Sequence, residues 1–129
     1  MPLVHYLYVG HFVPEKGYIR FQGHNPAIAR CIDRATASVL LKKYLGDRAD
    51  LNALPNLWGT TILPDYIVCD YLGSPAEALR FAADYAEQTG AILLNFGSFS
   101  LLTPTQVREY AIVRMASPPG VESATRSGA

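Results

Sequence analysis

Three stretches of this 129-residue chain set glycine, a capping residue and proline close together, at Gly23–Pro26, Gly73–Pro75 and Gly97–Pro104. Each reads as a junction between a strand and a helix. In open α/β sheets, ligands bind outside the carboxyl ends of parallel strands. Asp70, Tyr71, Ser74, Asn95, Ser98 and Ser100 fall at that edge of the segment 66–96. Asp70 would be the base or anchor for a small ligand, and Tyr71, Ser74 and Asn95 its orienting groups. His24 and Asn25 join them if the strand before them runs in the same direction. The simpler role of all eight is to cap helices and close turns.

Other chemistries find less support. A phosphate at the start of the helix after Ser74 would meet the negative charge of Glu77, and only one glycine precedes it. His5 and His11 share a face of a regular strand, but six residues at about 3.3 Å each put them roughly 20 Å apart. Ligands of one tetrahedral ion lie about 2 Å from it, so no metal site is expected. Cys31 and Cys69 fall at positions that read as core, whereas a catalytic thiol needs a partly exposed, electropositive setting. No serine lies in a nucleophile-elbow pattern, and no motif supplies Asp70 with a catalytic partner. No cofactor is expected.

The elements that must position these residues follow from local signals. Residues 3–13 are rich in β-formers and apolar on both faces, as a central strand is. Pro14-Glu15-Lys16-Gly17 is turn chemistry, so residues 18–22 form the return strand of a hairpin. Asn25 as cap and Pro26 in the first turn begin a helix that Gly46 ends, with Ile28, Ile32, Ala35 and Val39 as its buried stripe. Leu51, Leu54 and Leu57 suit one short helical turn. Residues 58–63 and 66–72 read as strands. Ser74-Pro75-Ala76-Glu77 is a capping-box pattern that opens a helix to Gly90. Its buried stripe is Leu79, Ala82, Ala83 and Ala86, and its wet stripe Glu77, Arg80, Asp84 and Glu87. Residues 91–96 are another strand. Thr103-Pro104-Thr105-Gln106 repeats the capping box, and residues 110–115 suit a helix or a last strand.

These elements make one α/β (α+β mixed) domain over residues 1–115, with residues 116–129 as a flexible tail. The expected fold is a mixed sheet of about five strands in the order ββαββαβα. Residues 66–96 form its parallel β-α-β crossover, because a strand, a helix and a strand with almost no loop fit such a connection.

Composition narrows the function. Charged residues make up 17% of the chain, below the roughly 25% of an average globular protein. So few charges on a small domain suggest that another subunit covers apolar surface, and a homodimer is expected. The eleven basic and eleven acidic residues cancel, which argues against nucleic acid, since phosphate binding needs a basic footprint. No stretch is long and apolar enough for a membrane span. Residues 3–13 lack a preceding Lys or Arg, and His5 and His11 interrupt them, so they do not read as a secretory signal. Two cysteines without such a signal fit a reduced, cytoplasmic protein.

Leu7-Tyr8-Val9-Gly10 resembles the first short motif of the RNA-recognition motif family. Lys16-Gly17-Tyr18-Ile19-Arg20-Phe21 loosely resembles the second. That family carries the two on separate strands, with a helix and another strand between them. Here only a tight turn intervenes, two positions of the second motif are missing and the net charge is zero. The match is therefore a coincidence of strand-forming residues, and base stacking on Tyr6, Tyr8 or Tyr18 rests on side-chain chemistry alone. The eight tyrosines fit strands and interfaces, where the ring is buried and the hydroxyl stays wet. The resulting expectation is a small, soluble, non-catalytic protein-interaction domain that self-associates or masks a partner protein. The alternative is a small-ligand-binding domain or enzyme at the carboxyl edge of the sheet.

Overall fold

The computed structural model describes residues 6–16, 18–19, 21–22, 25–97 and 100–116. Strand β1 (Tyr6–Phe12) is followed by four two-residue strands, β2 (Pro14–Glu15), β3 (Tyr18–Ile19), β4 (Phe21–Gln22) and β5 (Asn25–Pro26). Next come β6 (Ile28–Arg30), α1 (Arg34–Leu45), two 3-10 turns at Gly46–Arg48 and Leu51–Ala53, and α2 (Leu54–Trp58). β7 (Thr60–Ile62), β8 (Tyr66–Asp70), α3 (Ala76–Thr89), β9 (Ile92–Asn95), β10 (Ser100–Leu102) and α4 (Pro104–Ala116) follow.

The main sheet has the order β10-β9-β1-β8-β7, and β6 pairs with the far end of β1. Every pairing is antiparallel. This corrects the expected mixed sheet with a parallel crossover at 66–96. Strands β8 and β9 do run the same way, but they do not pair, because β1 lies between them with Leu7 opposite both Cys69 and Asn95. In the same way β8 separates β1 from β7. Two β-α-β units are thus split and interlocked, a ferredoxin-like arrangement extended by β10 and α4.

The order of elements differs too. Of residues 18–22, the described Tyr18–Ile19 and Phe21–Gln22 do not return along β1. They make two small hairpins, β2 with β3 and β4 with β5. The helix expected from Asn25 begins only at Arg34, where Asp33 is the cap: its carboxylate accepts from Thr36 N–H at 3.0 Å and from Thr36 Oγ1 at 2.7 Å. Residues 28–30 are instead drawn into the sheet, with Arg30 opposite His11 and Ile28 opposite Phe12. The buried side of α1 is therefore Ala37, Leu40, Leu41 and Leu45, and Val39 is 69% exposed. Cys31 is exposed, whereas Cys69 is buried. Residues 110–115 are helical, within α4. The expected tail falls outside the described residues from position 117 onward.

Helices α1, α3 and α4 pack on one face of the sheet. There Leu7, Val9, Ile67, Cys69 and Leu93 meet Leu41, Trp58, Leu79, Phe81 and Val107 in one buried core. Among the described residues, no helix is long and apolar enough to cross a membrane. On the same face Tyr85 of α3 ties three elements together. Its hydroxyl lies 3.2 Å from Nε2 of the buried His11 in β1 and accepts from Asp33 N–H, at the start of α1, at 2.8 Å.

The capping boxes behave differently. At α4 the pattern is complete: Gln106 N–H donates to Thr103 Oγ1 at 3.1 Å, and Thr103 N–H donates to Gln106 Oε1 at 2.8 Å. At α3 the cap is Pro75, and the Glu77 carboxylate accepts from Trp58 Nε1 at 3.1 Å. The turn before α3 is closed by Asp70, whose Oδ1 accepts from Leu72 N–H at 3.1 Å and from Gly73 N–H at 2.9 Å. A Cβ at Gly73 would sit 2.5 Å from Asp70 Oδ2, so glycine is needed there for close approach. Gly73→Ala is expected to push the carboxylate off the turn and cost about 1–2 kcal/mol, roughly the two hydrogen bonds lost. Chemical denaturation checks this. In an Asp70→Ala background the same change should cost almost nothing, and equal costs in both backgrounds would show that the two residues are not coupled.

Candidate functional site

The eight residues expected to form a ligand site are only partly brought together. Asp70 and Asn95 do stand at one edge of the sheet, on either side of the start of β1. Asp70 is opposite Tyr6, however, and Asn95 opposite Leu7, so the two side chains point to opposite faces. Each also serves its own turn, Asn95 by accepting from Gly97 N–H at 3.1 Å. Tyr71 stacks on Tyr110 of α4, with centroids 4.4 Å apart and planes 12° apart. Ser74 is buried, and Ser100 pairs with Asn95 at the exposed edge. Asn25 lies away from this edge, in the small hairpin of β4 and β5. Ser98 and His24 lie outside the described residues.

What the fold does assemble is a face of aromatic rings. Alternation along β1 sends Leu7 and Val9 to the helices and Tyr6 and Tyr8 to the other side. The register then places Val68 opposite Tyr8 on β8 and Leu94 opposite Tyr8 on β9, with Leu101 opposite Leu94 on β10. The Tyr8 ring is sandwiched between Tyr66 at 5.0 Å and Phe96 at 4.9 Å, both nearly parallel to it. Tyr6 flanks the stack, with its centroid 6.4 Å from that of Tyr8. Offset stacking of this kind adds about 0.5–1.5 kcal/mol per pair beyond the area buried. Gly10 leaves room for the neighbouring rings, since a Cβ there would come within 2.9 Å of the Phe12 ring.

One end of this face is closed. Phe12, Ile19 and Leu94 are buried together, with Ile28, Tyr66 and Ile92 packed against them, so the excursion between β1 and α1 folds over it. At the other end Tyr6 and Leu101 remain 39% and 38% exposed, and no described helix packs there. Burial, then the nearby Tyr66 and Tyr6, push the Tyr8 hydroxyl above its ordinary value, so it stays protonated. Strands β1 and β7 to β10 contain no Lys or Arg, and the acidic Asp70 shares the face with Tyr6. Tyr66 and Phe96 are missing from the sequence-based site. Alternation marks Tyr66 as outward-facing, but only the register shows that it reaches Tyr8.

The helix layer holds a second cluster that the sequence pattern misplaces. Asp84 is expected on the wet stripe of α3, yet it is only 8% exposed. Its carboxylate accepts from Arg108 at 2.8 Å, from Lys43 at 3.1 Å and from the Tyr44 hydroxyl. Arg108 also reaches Glu87, at 2.9 and 3.1 Å. Burial pushes the Asp84 carboxyl up, but the three donors more than offset this and hold it below the usual carboxylate range. Burial and the bond to Asp84 push the Tyr44 hydroxyl up to about 12.

Burial raises the Cys69 thiol to about 11, opposite to what a nucleophile needs. No group of three or more His, Cys, Asp or Glu side chains that could hold a metal ion occurs among the described residues. Comparison with family models, with curated proteins and with solved structures finds no match to this chain.

Proposed function

We propose that this chain is a non-catalytic interaction domain that pairs with a second copy of itself through the aromatic face of its sheet. The observation that carries the reading is the Tyr66–Tyr8–Phe96 stack, flanked by exposed Tyr6 and Leu101, on a face that no described helix covers. Apolar and aromatic surface of this kind gains most from being buried against a like surface. Two copies related by a two-fold axis bring the same patch together and close the assembly at a dimer. The sheet edges offer a poorer route, since β7 and β10 are three residues long and present few free backbone groups.

Charge supports a protein occupant over a nucleic acid. Stacked aromatics bind single strands when cations beside them replace the phosphate counterions. The strands that form this face supply none.

Native mass spectrometry and light scattering test the reading. The dimer is the expected species, and Tyr6→Glu with Leu101→Glu is expected to give a folded monomer. Both positions are partly exposed, so the two charges burden the interface more than the core. A chain that stays monomeric at every concentration would sink the proposal. So would a monomer that binds a single-stranded oligonucleotide with an affinity that falls as salt rises.

A further inference from the structure

Helix α3 forms the floor of a groove between α1 and α4, and a cleft of about 460 Å³ opens there, on the far side of the helix layer from the sheet. Its lining is Lys43 and Tyr44 from α1, Arg80 and Asp84 from α3, and Arg108 and Ile112 from α4. That volume is the size of small-molecule sites in general. We propose that the cleft binds a small amphipathic carboxylate, its head held by Arg80 and Lys43 and its apolar body lying against Tyr44 and Ile112.

The accounting of donors points to the head group. Arg108 is committed, with one guanidinium serving both Asp84 and Glu87. Lys43 gives Asp84 one of its three N–H groups. Arg80 makes no ion pair among the described residues, and its guanidinium lies 5.8 Å from the centroid of the Tyr44 ring. Its donors are therefore open, and its planar fork matches a carboxylate in two-point contact. Three cations, Lys43, Arg80 and Arg108, line the cleft with a single carboxylate, Asp84. Glu87 is held by Arg108 outside the lining, and Glu77 lines the neighbouring cleft, so the lining itself favours an anion.

The apolar half follows from the remaining walls. Ile112 is 63% exposed on α4, and it lines the cleft beside Arg108. Tyr44 supplies a ring across from it. A second cleft, of about 360 Å³, shares Tyr44 and Arg80 but adds Glu77 to its lining. That carboxylate repels the same ligand, so the Asp84 side is the one occupied. Asp84 lines the cleft with its carboxylate already taken up by Lys43, Tyr44 and Arg108, and it fixes those three in place.

Titration with benzoate, followed by NMR of backbone amides, tests the assignment. Benzoate is expected to saturate with a dissociation constant of about 1 mM or tighter, shifting signals around Lys43, Tyr44, Arg80 and Ile112. Arg80→Gln is expected to weaken it about tenfold, the loss of one charge-assisted pair, with the melting temperature unchanged because Arg80 supports no ion pair. Inorganic phosphate and benzyl alcohol are the comparison probes, and both should bind more weakly. Shifts scattered away from the cleft, an unchanged affinity in Arg80→Gln, or benzyl alcohol or phosphate binding as well as benzoate would each overturn the proposal.

Discussion

Asp84→Ala is expected to destabilise the fold by about 3 kcal/mol, the lower end of the cost of removing one partner from a buried charge pair. The lower end applies because Lys43 and Arg108 keep part of their surface in water. Three donors converge on this carboxylate from two other helices. Without it the Tyr44 hydroxyl loses its acceptor, the Arg108 guanidinium keeps only Glu87, and the positive charges of Lys43 and Arg108 lose the carboxylate between them. Asp84→Asn keeps the shape and some acceptor capacity, so it should cost less than alanine. The acid limb of stability gives a second readout. The folded carboxyl titrates below its ordinary value near 3.8, so its contribution is full above that value and is lost as pH falls through the folded one. Urea denaturation at a series of pH values should show this limb in the parent chain and a shallower one in Asp84→Ala. A cost below about 1 kcal/mol would mean that the cluster contributes no more than an exposed ion pair.

Tyr85→Phe should cost about 2 kcal/mol, because it removes one oxygen that serves two elements at once. The substitution leaves the ring in place and orphans the buried His11 nitrogen and the backbone N–H of Asp33. The helix start at α1 should loosen first, visible as faster amide exchange at residues 33–37. His11 adds a pH dependence. Burial, then the Arg30 guanidinium opposite it, lower the imidazole below 6.5, against a smaller upward pull from Asp33. The unfolded chain therefore takes a proton first as pH falls. Stability from this residue is full above 6.5 and is lost as pH drops toward the lower folded value, with a slope of at most about 1.4 kcal/mol per pH unit. His11→Gln should remove that slope while leaving the Asp84 limb below pH 4 in place. An unaltered profile in His11→Gln would show that another group titrates in this window.

Several elements were legible without any tertiary information, because their signals are local. Strand β1 is apolar on both faces and does lie at the centre of the sheet. The Thr103–Gln106 capping box closes on itself within four residues, and its two hydrogen bonds form as the pattern implies. Helix α3 ends at Gly90 as read. The turn role of Asp70 and Asn95 was legible for the same reason: each bonds a backbone group two or three residues away.

Pairing was not legible. A strand, a helix and a strand in succession say that both strands run the same way, but not whether a third is inserted between them. Here β1 is inserted, and its hydrogen bonds to both neighbours turn an expected parallel pair into an antiparallel sheet. Competition from the same strand overrode a good local helix start. Asn25-Pro26 has the residues of a cap and first turn, yet residues 28–30 gain backbone partners along β1, and the helix waits until Asp33. Once that start moved, the buried stripe of α1 moved with it, which exposed Cys31 and Val39.

By itself, then, the sequence determined which segments would be strand or helix wherever the deciding groups lie within a few residues. It also determined the zero net charge, since that is a matter of composition. The two surfaces that carry the functional reading were decided only by tertiary structure. Tyr8, Tyr66 and Phe96 are far apart along the chain and stack because the register of three strands brings them together. Asp84 reads as a solvated residue at helical spacing, and it becomes a buried acceptor because α1 and α4 close over that side of α3. Contacts of this range depend on which elements meet, and no local pattern of residue types encodes that.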